Sequence, residues 1–395
     1  MSIKFLHLCH DDKFIQFVQD SFESVFPGRN RYIVWGDEDA PRPAGYAKAG
    51  YHTRFVGYSY LLSRDLTEDL AWCDAAIVHC MTPWAAFVAL RSSSNVLVVW
   101  SGWGFDYYDL IRLPNGGVLK ETHHLNSYTK KSKGAKRSIN AIVRGLERRG
   151  WNWVYRRFME KKILPRVKLF SSPIPEDWGL LRNACHDFKA EYVQLNYGSV
   201  DSMFRVGPDR VSGRDILIGN SASATNNHAE AFETIRRLDL EGRCILVPLS
   251  YGDINYAAKV IALGERMFGD KFHPLVDFIP INKYNEIIAS CSIVLMNHLR
   301  QQGLGNINIM LYKGAKVFLN KENPIYGFFK AKNTAIFRID EIDSMGISVF
   351  EPLARDAIAL NRSIIDRYWS ADAVSENIHQ LGKRVCDLKS NVVSL

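Results

Sequence analysis

The feature that most constrains the fold of this chain is a series of short apolar segments of strand length that alternate with helical patterns. Eleven such segments form two groups. The first group is Ile3–Leu8, Arg31–Gly36, Ala75–Cys80, Asn95–Trp100, Lys168–Ser172 and Tyr192–Tyr197. The second group is Asp215–Asn220, Cys244–Ser250, His273–Ile279, Ser292–His298 and Lys316–Asn320. Continuously apolar strands separated by helices are typical of parallel sheets covered on both faces. We therefore predict an α/β fold with two Rossmann-like domains.

The two groups are joined by a stretch rich in Gly, Ser and Pro, over residues 198–212. We place an N-terminal domain at residues 1–205 and a C-terminal domain at 206–350. Residues 351–395 have a helical pattern, and we expect them to pack back across the interdomain region. A chain of 395 residues that is 47% apolar can bury two cores of this size.

The positive charge of the chain is concentrated in one segment. Residues 120–168 hold 15 Lys/Arg and 3 Asp/Glu, a balance of +12, whereas the whole chain carries +8 and the remainder therefore −4. An apolar stripe at helical spacing in this segment is flanked by basic and aromatic residues, among them Arg148, Arg149, Trp151, Trp153, Arg156 and Arg157. Such a helix is typical of peripheral contact with an anionic membrane. The alternative is a helix packed on its own domain with a solvated basic face.

The sequence lacks signals that several classes of protein require. No apolar run reaches the ~18 residues of a membrane span, and the N-terminus lacks the pattern of a signal peptide. The seven cysteines have no CxxC spacing, as expected of reduced thiols in the cytoplasm. The DED of Asp37–Asp39 matches a loose metal-binding pattern but has no ligand-like neighbours. We expect neither a metal nor another cofactor.

Two further classes are disfavoured by missing motifs. An oxidoreductase of this fold needs a dinucleotide fingerprint, GxGxxG, which is absent. A protein that binds nucleic acid through the basic segment remains an alternative, but no recognised nucleic-acid motif supports it. We expect no nucleic-acid partner.

Polar turns follow the predicted strands of the second domain, at the edge where doubly wound sheets bind ligands. The candidate residues in these turns are Gly219, Asn220, Ser221, Tyr251, Gly252 and Tyr284. We expect Thr225 or Asn226 to cap the helix after the first turn. Glu322 and Asn323 follow the last strand, where they would bind sugar or ribose hydroxyls; the alternative for Glu322 is a solvated turn.

The richest of these turns is RQQGLGN, which precedes an apolar helical run. We expect two glycines to allow close backbone approach, Asn306 to cap the helix and Arg300 to supply a fixed positive charge. Capping alone requires one polar residue, so the turn favours an anion such as a diphosphate at the helix N-terminus. The predicted diphosphate ligands are Arg300, Gln301, Gln302, Gly303, Gly305 and Asn306.

Carboxylates and histidines at strand ends of the first domain are candidates for a general base. Asp106 lies in WSGWGFDYYD, where aromatic rings suit sugar binding and raise a carboxyl pKa. The alternative is a turn or capping carboxylate. His79 ends a predicted strand and is either catalytic or a buried core histidine. His10, Asp11 and Asp12 follow the first strand, and the two aspartates could simply begin a helix.

The motifs RQQGLGNIN…AKVFLNKENP, IGNSASATNNH and VPLSYG together resemble glycosyltransferase family 56, the enterobacterial 4-alpha-L-fucosyltransferase family. The resemblance is strongest over residues 215–330. In the first domain, VHCMTPW and WGFDYYDL occupy corresponding places. The segment between Asp109 and Lys168 is longer and more basic than expected for the enzyme of enterobacterial common antigen synthesis.

The resemblance implies a GT-B fold, in which two Rossmann-like domains face a cleft, with the donor in the second domain. It implies a metal-independent hexosyltransferase that moves a deoxy- or amino-sugar from a dTDP-sugar to an undecaprenyl-pyrophosphate-linked oligosaccharide. Such a reaction belongs to bacterial surface polysaccharide synthesis, including O-antigen and common antigen, at the cytoplasmic face of the inner membrane. A non-catalytic nucleotide-sugar-binding protein is the alternative.

Overall fold

The computed structural model describes residues 3–36, 45–127 and 157–393. The strands of this part are β1 (Phe5–His10), β2 (Asn30–Trp35), β3 (Thr53–Val56), β4 (Ala75–His79), β5 (Leu97–Ser101), β6 (Val167–Ser171), β7 (Glu191–Tyr192), β8 (Asp215–Ile218), β9 (Ile245–Pro248), β10 (Phe272–Leu275), β11 (Cys291–Met296), β12 (Lys316–Leu319) and β13 (Phe337–Arg338). All recorded strand pairs are parallel, as expected from their apolar sequences.

The α-helices of the described part lie between most of these strands and after the last one. They are α1 (Ile15–Val25), α2 (Arg64–Trp72), α3 (Pro83–Arg91), α4 (Tyr108–Ile111), α5 (Lys120–Ser127), α6 (Pro175–Ala184), α7 (His228–Arg236), α8 (Ile254–Phe268), α9 (Ile281–Ile288), α10 (Leu304–Lys313), α11 (Pro324–Lys330), α12 (Ile342–Met345), α13 (Arg355–Trp369) and α14 (Ala371–Val393). The chain therefore has an α/β fold with a helical C-terminal end.

The described residues divide into two compact units. Unit 1 comprises residues 3–36, 45–112, 157–198 and 372–393, and unit 2 comprises residues 113–127 and 199–371. Unit 1 contains a sheet of seven strands in the order β3-β2-β1-β4-β5-β6-β7. Unit 2 contains a sheet of six strands in the order β10-β9-β8-β11-β12-β13. In both sheets the chain order reverses between non-consecutive neighbours, β1 beside β4 and β8 beside β11, which is where doubly wound folds bind ligands.

Each of the eleven apolar segments overlaps a strand, and two short strands were missed. β3 has only one buried residue, Val56, among its four, and β13 is only two residues long. The segment predicted over Tyr192–Tyr197 was too long, because only its first residue belongs to β7. Short edge strands carry too few apolar residues to stand out in a sequence.

The core of unit 1 includes side chains from the C-terminal helix. Val374, Ile378, Leu381 and Val385 of α14 are buried against the residues of β1, β2 and α1. Gly382 lies so close to Phe26 that a Cβ atom would be 2.5 Å from its ring carbon Cζ. α14 is therefore an integral layer of unit 1.

Residues 113–127 pack on unit 2 through reciprocal hydrogen bonds with α7. The Glu230 carboxylate accepts from the backbone N–H of Glu121 at 2.7 Å and from the hydroxyl of Thr122 at 2.5 Å. The Thr122 hydroxyl in turn accepts from the N–H of Ala229 at 3.2 Å. Asn227 accepts from the N–H of Leu119 at 2.8 Å. These bonds satisfy the first N–H groups of α5 and α7, which have no partners inside their own helices.

Most of the predicted membrane helix lies outside the described residues. This holds for Arg148, Arg149, Trp151, Trp153 and Arg156, and for Asp37–Asp39 of the DED motif. Arg157 is described and exposed, and Phe158 beside it is 38% exposed.

Candidate functional site

The candidate donor site lies at the carboxyl edge of the unit 2 sheet, where two loops meet. One loop connects β8 to α7, and the other connects β11 to α10. They lie side by side because β8 and β11 are paired, with Leu295 opposite Ile218. The sequence predicted residues of both loops as ligands, and hydrogen bonds join them directly.

Gly219 makes the turn out of β8. Its φ of +71° is in the left-handed region, and a Cβ atom there would lie 2.7 Å from His228 Nε2 and 2.8 Å from Asn226 Oδ1. Side-chain atoms do not tolerate contacts this short, and non-glycine residues rarely adopt this φ. The turn therefore needs glycine for both space and conformation.

Asn226 organises this turn, a role that was not predicted. Its Oδ1 accepts from the backbone N–H of Asn220 at 2.8 Å, and its Nδ2 donates to the carbonyl oxygens of Ser221 and Ser223, each at 3.0 Å. The predicted helix cap at Thr225 or Asn226 is wrong, because α7 begins after Asn227, which has a φ of +53°. The Asn226 side chain is occupied by the turn instead.

His298 joins the two loops and was also not predicted as a site residue. Its Nε2 lies 2.9 Å from Asn226 Oδ1 and 3.1 Å from Asn220 Oδ1. The side chain is fully buried. Burial lowers the pKa of His298 well below its ordinary value, and the positive charge of Arg300 and the neighbouring His228 lower it further.

Gln302 is a second link between the loops, and it brings Arg300 to the turn. Its Oε1 accepts from Arg300 Nε at 3.0 Å and from the Thr225 hydroxyl at 2.6 Å. Its Nε2 donates to Asn220 Oδ1 at 3.2 Å, with Ser221 Oγ at 3.5 Å. Four of the predicted ligands, Asn220, Ser221, Arg300 and Gln302, thus form one cluster. Gln301 is buried beside them, at 7% exposure.

The N-terminus of α10 opens beside this cluster. Gly303 is the N-cap, with a φ of +70°, and a Cβ atom there would lie 3.3 Å from Cγ of Asn220. The predicted cap at Asn306 is wrong, because Asn306 lies in the first turn of α10 and donates to the Tyr284 hydroxyl at 2.8 Å. Gly303 has no side chain and therefore makes no side-chain capping bond to α10. Gly305 also lies in this first turn, where a Cβ atom would lie 3.8 Å from the methyl carbon of Met203, an ordinary contact distance.

Tyr251 and Gly252 bring the next loop to the same place. The Tyr251 hydroxyl accepts from Asn220 Nδ2 at 2.8 Å, while the side chain stays 52% exposed. Gly252 pairs with Ala222, and a Cβ atom would lie 2.5 Å from the Ala222 carbonyl oxygen. An exposed aromatic ring is therefore anchored next to Asn220.

Glu322 and Asn323 have different environments. Asn323 is buried and caps α11, because its Oδ1 accepts from the N–H of Ile325 at 3.0 Å. Its Nδ2 is buried and has no hydrogen-bond partner within residues 3–36, 45–127 and 157–393. Glu322 is exposed. Their predicted contact with sugar or ribose hydroxyls stays a prediction.

Asp106 in unit 1 accepts three hydrogen bonds, one from a side chain of β5 and two from the loops that follow β4 and β5. Its Oδ2 accepts from the N–H of Met81 at 2.9 Å and from Trp100 Nε1 at 2.8 Å, and its Oδ1 accepts from the N–H of Trp103 at 2.9 Å. Burial raises the pKa of Asp106, and these three donors oppose the rise. The carboxylate orders the loops that follow β4 and β5, and its role as a base stays a prediction.

His79 lies in the core of unit 1. Its Nε2 is 2.9 Å from Nδ1 of His7, and its Nδ1 is 3.3 Å from the Tyr197 hydroxyl. Burial lowers the pKa of His79 to about 3. This environment is that of a neutral core histidine, the second of the two interpretations drawn from the sequence.

The remaining strand-end candidates have local partners. His10 Nε2 accepts from Trp84 Nε1 at 3.1 Å, so its proton lies on Nδ1. Asp11 Oδ1 accepts from the N–H groups of Tyr46 and Ala47, at 2.8 and 2.9 Å. Asp12 Oδ1 accepts from the N–H of Phe14 at 3.2 Å, just before α1.

Residues 3–36, 45–127 and 157–393 contain no group of three or more His, Cys, Asp or Glu side chains that could hold a metal ion. In the same part of the chain, every helix is too short or too polar to cross a membrane.

Comparison with known proteins agrees with this architecture. The chain resembles the crystal structure of HepE from Anabaena in complex with UDP and glucose, with a TM-score of 0.62, 10% identity and coverage of 97% of this chain and 100% of that chain. It also resembles sucrose-phosphate synthase from Thermosynechococcus elongatus, with a TM-score of 0.61, 10% identity and coverage of 98% and 100%. An O-GlcNAc transferase from Thermobaculum terrenum has a TM-score of 0.55 at 8% identity, over 99% of this chain and 69% of that chain. The fold is that of GT-B glycosyltransferases.

The sequence itself indicates which family of glycosyltransferases the chain resembles. Residues 201–368 match the family model of 4-alpha-L-fucosyltransferase, glycosyl transferase group 56. The predicted resemblance to glycosyltransferase family 56 is therefore confirmed over these residues, which include the whole candidate donor site.

Proposed function

We propose that this protein transfers a deoxy- or amino-sugar from a dTDP-sugar to an undecaprenyl-pyrophosphate-linked oligosaccharide. The proposal draws on the match of residues 201–368 to the group 56 family and on the glycosyltransferase fold. The complex of HepE with UDP and glucose supports a nucleotide-sugar donor in such a fold. The choice of dTDP and of a lipid-linked acceptor follows the family resemblance.

The observation that carries the proposal is the meeting of Arg300, Gln302 and the N-terminus of α10 at one turn. The first N–H groups of a helix attract anions, and an arginine beside them adds a full positive charge. Gln302 accepts from Arg300 Nε and donates to Asn220 Oδ1, which orients the guanidinium relative to the β8–α7 turn. The Arg300 guanidinium and the N–H groups of α10 are the kinds of groups that bind a diphosphate, which supports the proposal.

In transfer, the bond between the sugar and the diphosphate breaks and negative charge develops on the leaving nucleotide. Arg300 and the N-terminal N–H groups of α10 would stabilise this charge without a metal ion. The Tyr251 ring, exposed and held by Asn220, would contact the nucleoside or the sugar. Asp106 remains our candidate for polarising the acceptor hydroxyl, with a carboxyl pKa raised by burial.

The first experiment is calorimetric titration of the protein with dTDP, UDP and GDP in the presence of a chelator. We expect dTDP to bind in the micromolar range, ahead of the other two nucleotides. Failure of all three to bind would refute a donor site. Binding without any sugar transfer to a lipid-linked acceptor would favour the non-catalytic nucleotide-sugar-binding protein.

Arg300 is tested by a pair of substitutions. We expect Arg300→Ala to weaken nucleotide binding about tenfold to a hundredfold, the effect of losing a charge-assisted hydrogen bond. Arg300→Lys keeps the charge but loses the bond from Nε to Gln302, so an intermediate loss is expected. Arg236→Ala on α7, where Arg236 pairs with Glu233 at the surface, is the matched control. Unchanged affinity in Arg300→Ala would place the diphosphate elsewhere.

Membrane contact through the basic segment is tested with vesicles. Each basic residue near an anionic surface contributes about 1 kcal/mol to binding. Reversing the charge at Arg148, Arg149, Arg156 and Arg157 should therefore abolish sedimentation with phosphatidylglycerol vesicles and leave dTDP binding intact. Retained sedimentation would contradict a docking role for this segment.

A further inference from the structure

We propose that His298 is a positioning residue of the donor site and that it acts as the neutral tautomer with its proton on Nε2. The proposal rests on the function proposed above for this site, since its importance is for nucleotide binding. It concerns a fully buried side chain that links the β8–α7 loop to the β11–α10 loop.

The first step is the orientation of the Asn226 amide, which backbone groups determine. Oδ1 faces the N–H of Asn220 at 2.8 Å, and Nδ2 faces the carbonyl oxygens of Ser221 and Ser223, each at 3.0 Å. A flipped amide would place a donor against the N–H and an acceptor against both carbonyl groups. Because backbone groups cannot exchange donor and acceptor roles, the atom that faces His298 is an oxygen.

The second step follows for the imidazole. His298 Nε2 faces two amide oxygens, Asn226 Oδ1 at 2.9 Å and Asn220 Oδ1 at 3.1 Å. The Asn220 amide is oriented in the same sense. Arg300 Nε can only donate, so Gln302 Oε1 accepts from it at 3.0 Å and Gln302 Nε2 donates to Asn220 Oδ1 at 3.2 Å. Only a protonated Nε2 satisfies two oxygens, so one N–H is shared between them.

The third step concerns charge. Burial, then Arg300 and His228, lower the pKa of His298 well below its ordinary value, so the ring is neutral and Nδ1 carries a lone pair. Nδ1 is buried and has no hydrogen-bond partner among the residues that the structure describes. The ring therefore contributes one hydrogen-bond donor and no positive charge, which leaves the charge of this cluster to Arg300.

The consequence is a chain of contacts from His298 to the anion-binding groups. The Oδ1 of Asn220 that accepts from His298 also accepts from Gln302, and Gln302 holds Arg300. Loss of the His298 donor would leave two buried amide oxygens with fewer partners and would loosen the turn. His298 would thus affect nucleotide binding through Asn220 and Gln302, without touching the nucleotide.

A pair of substitutions tests this mechanism by calorimetry with dTDP. His298→Gln places an amide N–H near the position of Nε2, whereas His298→Asn reaches only the position of Nδ1. We expect affinity within about threefold of wild type for His298→Gln and a loss of about tenfold or more for His298→Asn, the effect of one buried hydrogen bond. Circular dichroism verifies that both variants are folded. Equal losses in two folded variants would overturn the proposal.

The tautomer is tested separately in the wild-type protein. Nitrogen-15 labelling of the eleven histidines and their assignment by substitution isolates the His298 ring. We expect a protonated, pyrrole-type Nε2 and an unprotonated, pyridine-type Nδ1 that do not change between pH 5 and pH 8. The reverse pattern, or titration in this range, would refute the proposal even if the variants failed to fold.

The two experiments separate this inference from the proposed function. If the wild-type protein binds no nucleotide, the donor-site function fails, while the nitrogen-15 pattern still decides the tautomer. If dTDP binds but His298→Gln and His298→Asn have the same affinity, the function stands and the positioning role fails.

Discussion

At the scale of single residues, Gly219 allows a test of how tightly the β8–α7 turn of the donor site is packed. Its φ of +71° and its contacts leave no room for a Cβ atom. Gly219→Ala should lower the free energy of unfolding by about 2–4 kcal/mol, through the left-handed conformation and displacement of His228 and Asn226. Gly28→Ala is the control, because Gly28 has a φ of +67° but open space around it, and should cost about 1 kcal/mol. If chemical denaturation showed equal losses of unfolding free energy in Gly219→Ala and Gly28→Ala, the crowding around Gly219 would be contradicted.

The buried histidines predict how stability depends on pH. Burial lowers the pKa of His79 to about 3 in the folded state, whereas the ordinary value is about 6.5. The contribution of neutral His79 is therefore complete above pH ~6.5 and is lost as the pH falls towards 3. His79→Gln should reduce the slope of the unfolding free energy below pH 6.5 by up to about 1.4 kcal/mol per pH unit. His379→Gln, at an exposed position on α14, is the control; an unchanged slope in His79→Gln would refute the assignment.

The site residues that were predicted share one property, which is their place in polar turns after strands. Gly219, Asn220, Gln302 and Gly303 were identifiable because glycine and amide side chains just beyond an apolar strand are unusual. His298 was not, because it ends an apolar segment and resembles a core residue. Its role depends on the register of β8 against β11, which are far apart in sequence, and a single sequence does not specify that register.

At the scale of elements, the docking of α5 on α7 depends on Glu230. Its carboxylate accepts from two backbone N–H groups and the Thr122 hydroxyl, all at the start of α5. Glu230→Ala should lower the free energy of unfolding by about 1.5–3 kcal/mol, the range for hydrogen bonds to a charged group. Glu233→Ala is the matched control on the same helix. Glu233 makes a surface ion pair with Arg236, so its substitution should cost less than about 1 kcal/mol. Equal losses in thermal or chemical denaturation would contradict the capping role.

The elements themselves were largely predictable, and their ends were not. The long apolar strands such as β5 and β11 stand out because both faces of each sheet are covered. The first residues of the helices were harder to predict from the sequence. The caps of α7 and α10 are Asn227 and Gly303, both in the left-handed conformation and without a side-chain capping bond. The sequence favours Asn226 and Asn306 as caps, but Asn226 bonds within its own turn and to His298, and Asn306 bonds to Tyr284.

At the scale of the whole molecule, the two units do not correspond to two continuous fragments of the chain. α14 packs in unit 1, and residues 113–127 pack on unit 2. A fragment of residues 1–198 lacks α14, whose buried side chains complete the core of unit 1. We expect this fragment to be unfolded by circular dichroism. A cooperative unfolding transition in the fragment would show that α14 is dispensable.

A fragment of residues 199–371 keeps its sheet but lacks the partners of Glu230 and Asn227. A synthetic peptide of residues 113–127 should therefore raise its melting temperature in proportion to the logarithm of peptide concentration at saturation, as expected for a ligand of the folded state. The same peptide with Thr122 replaced by Val should be a weaker ligand. Each half of this protein is compact in space but is not one continuous stretch of sequence. A cut at the interdomain linker therefore removes α14 from unit 1 and residues 113–127 from unit 2.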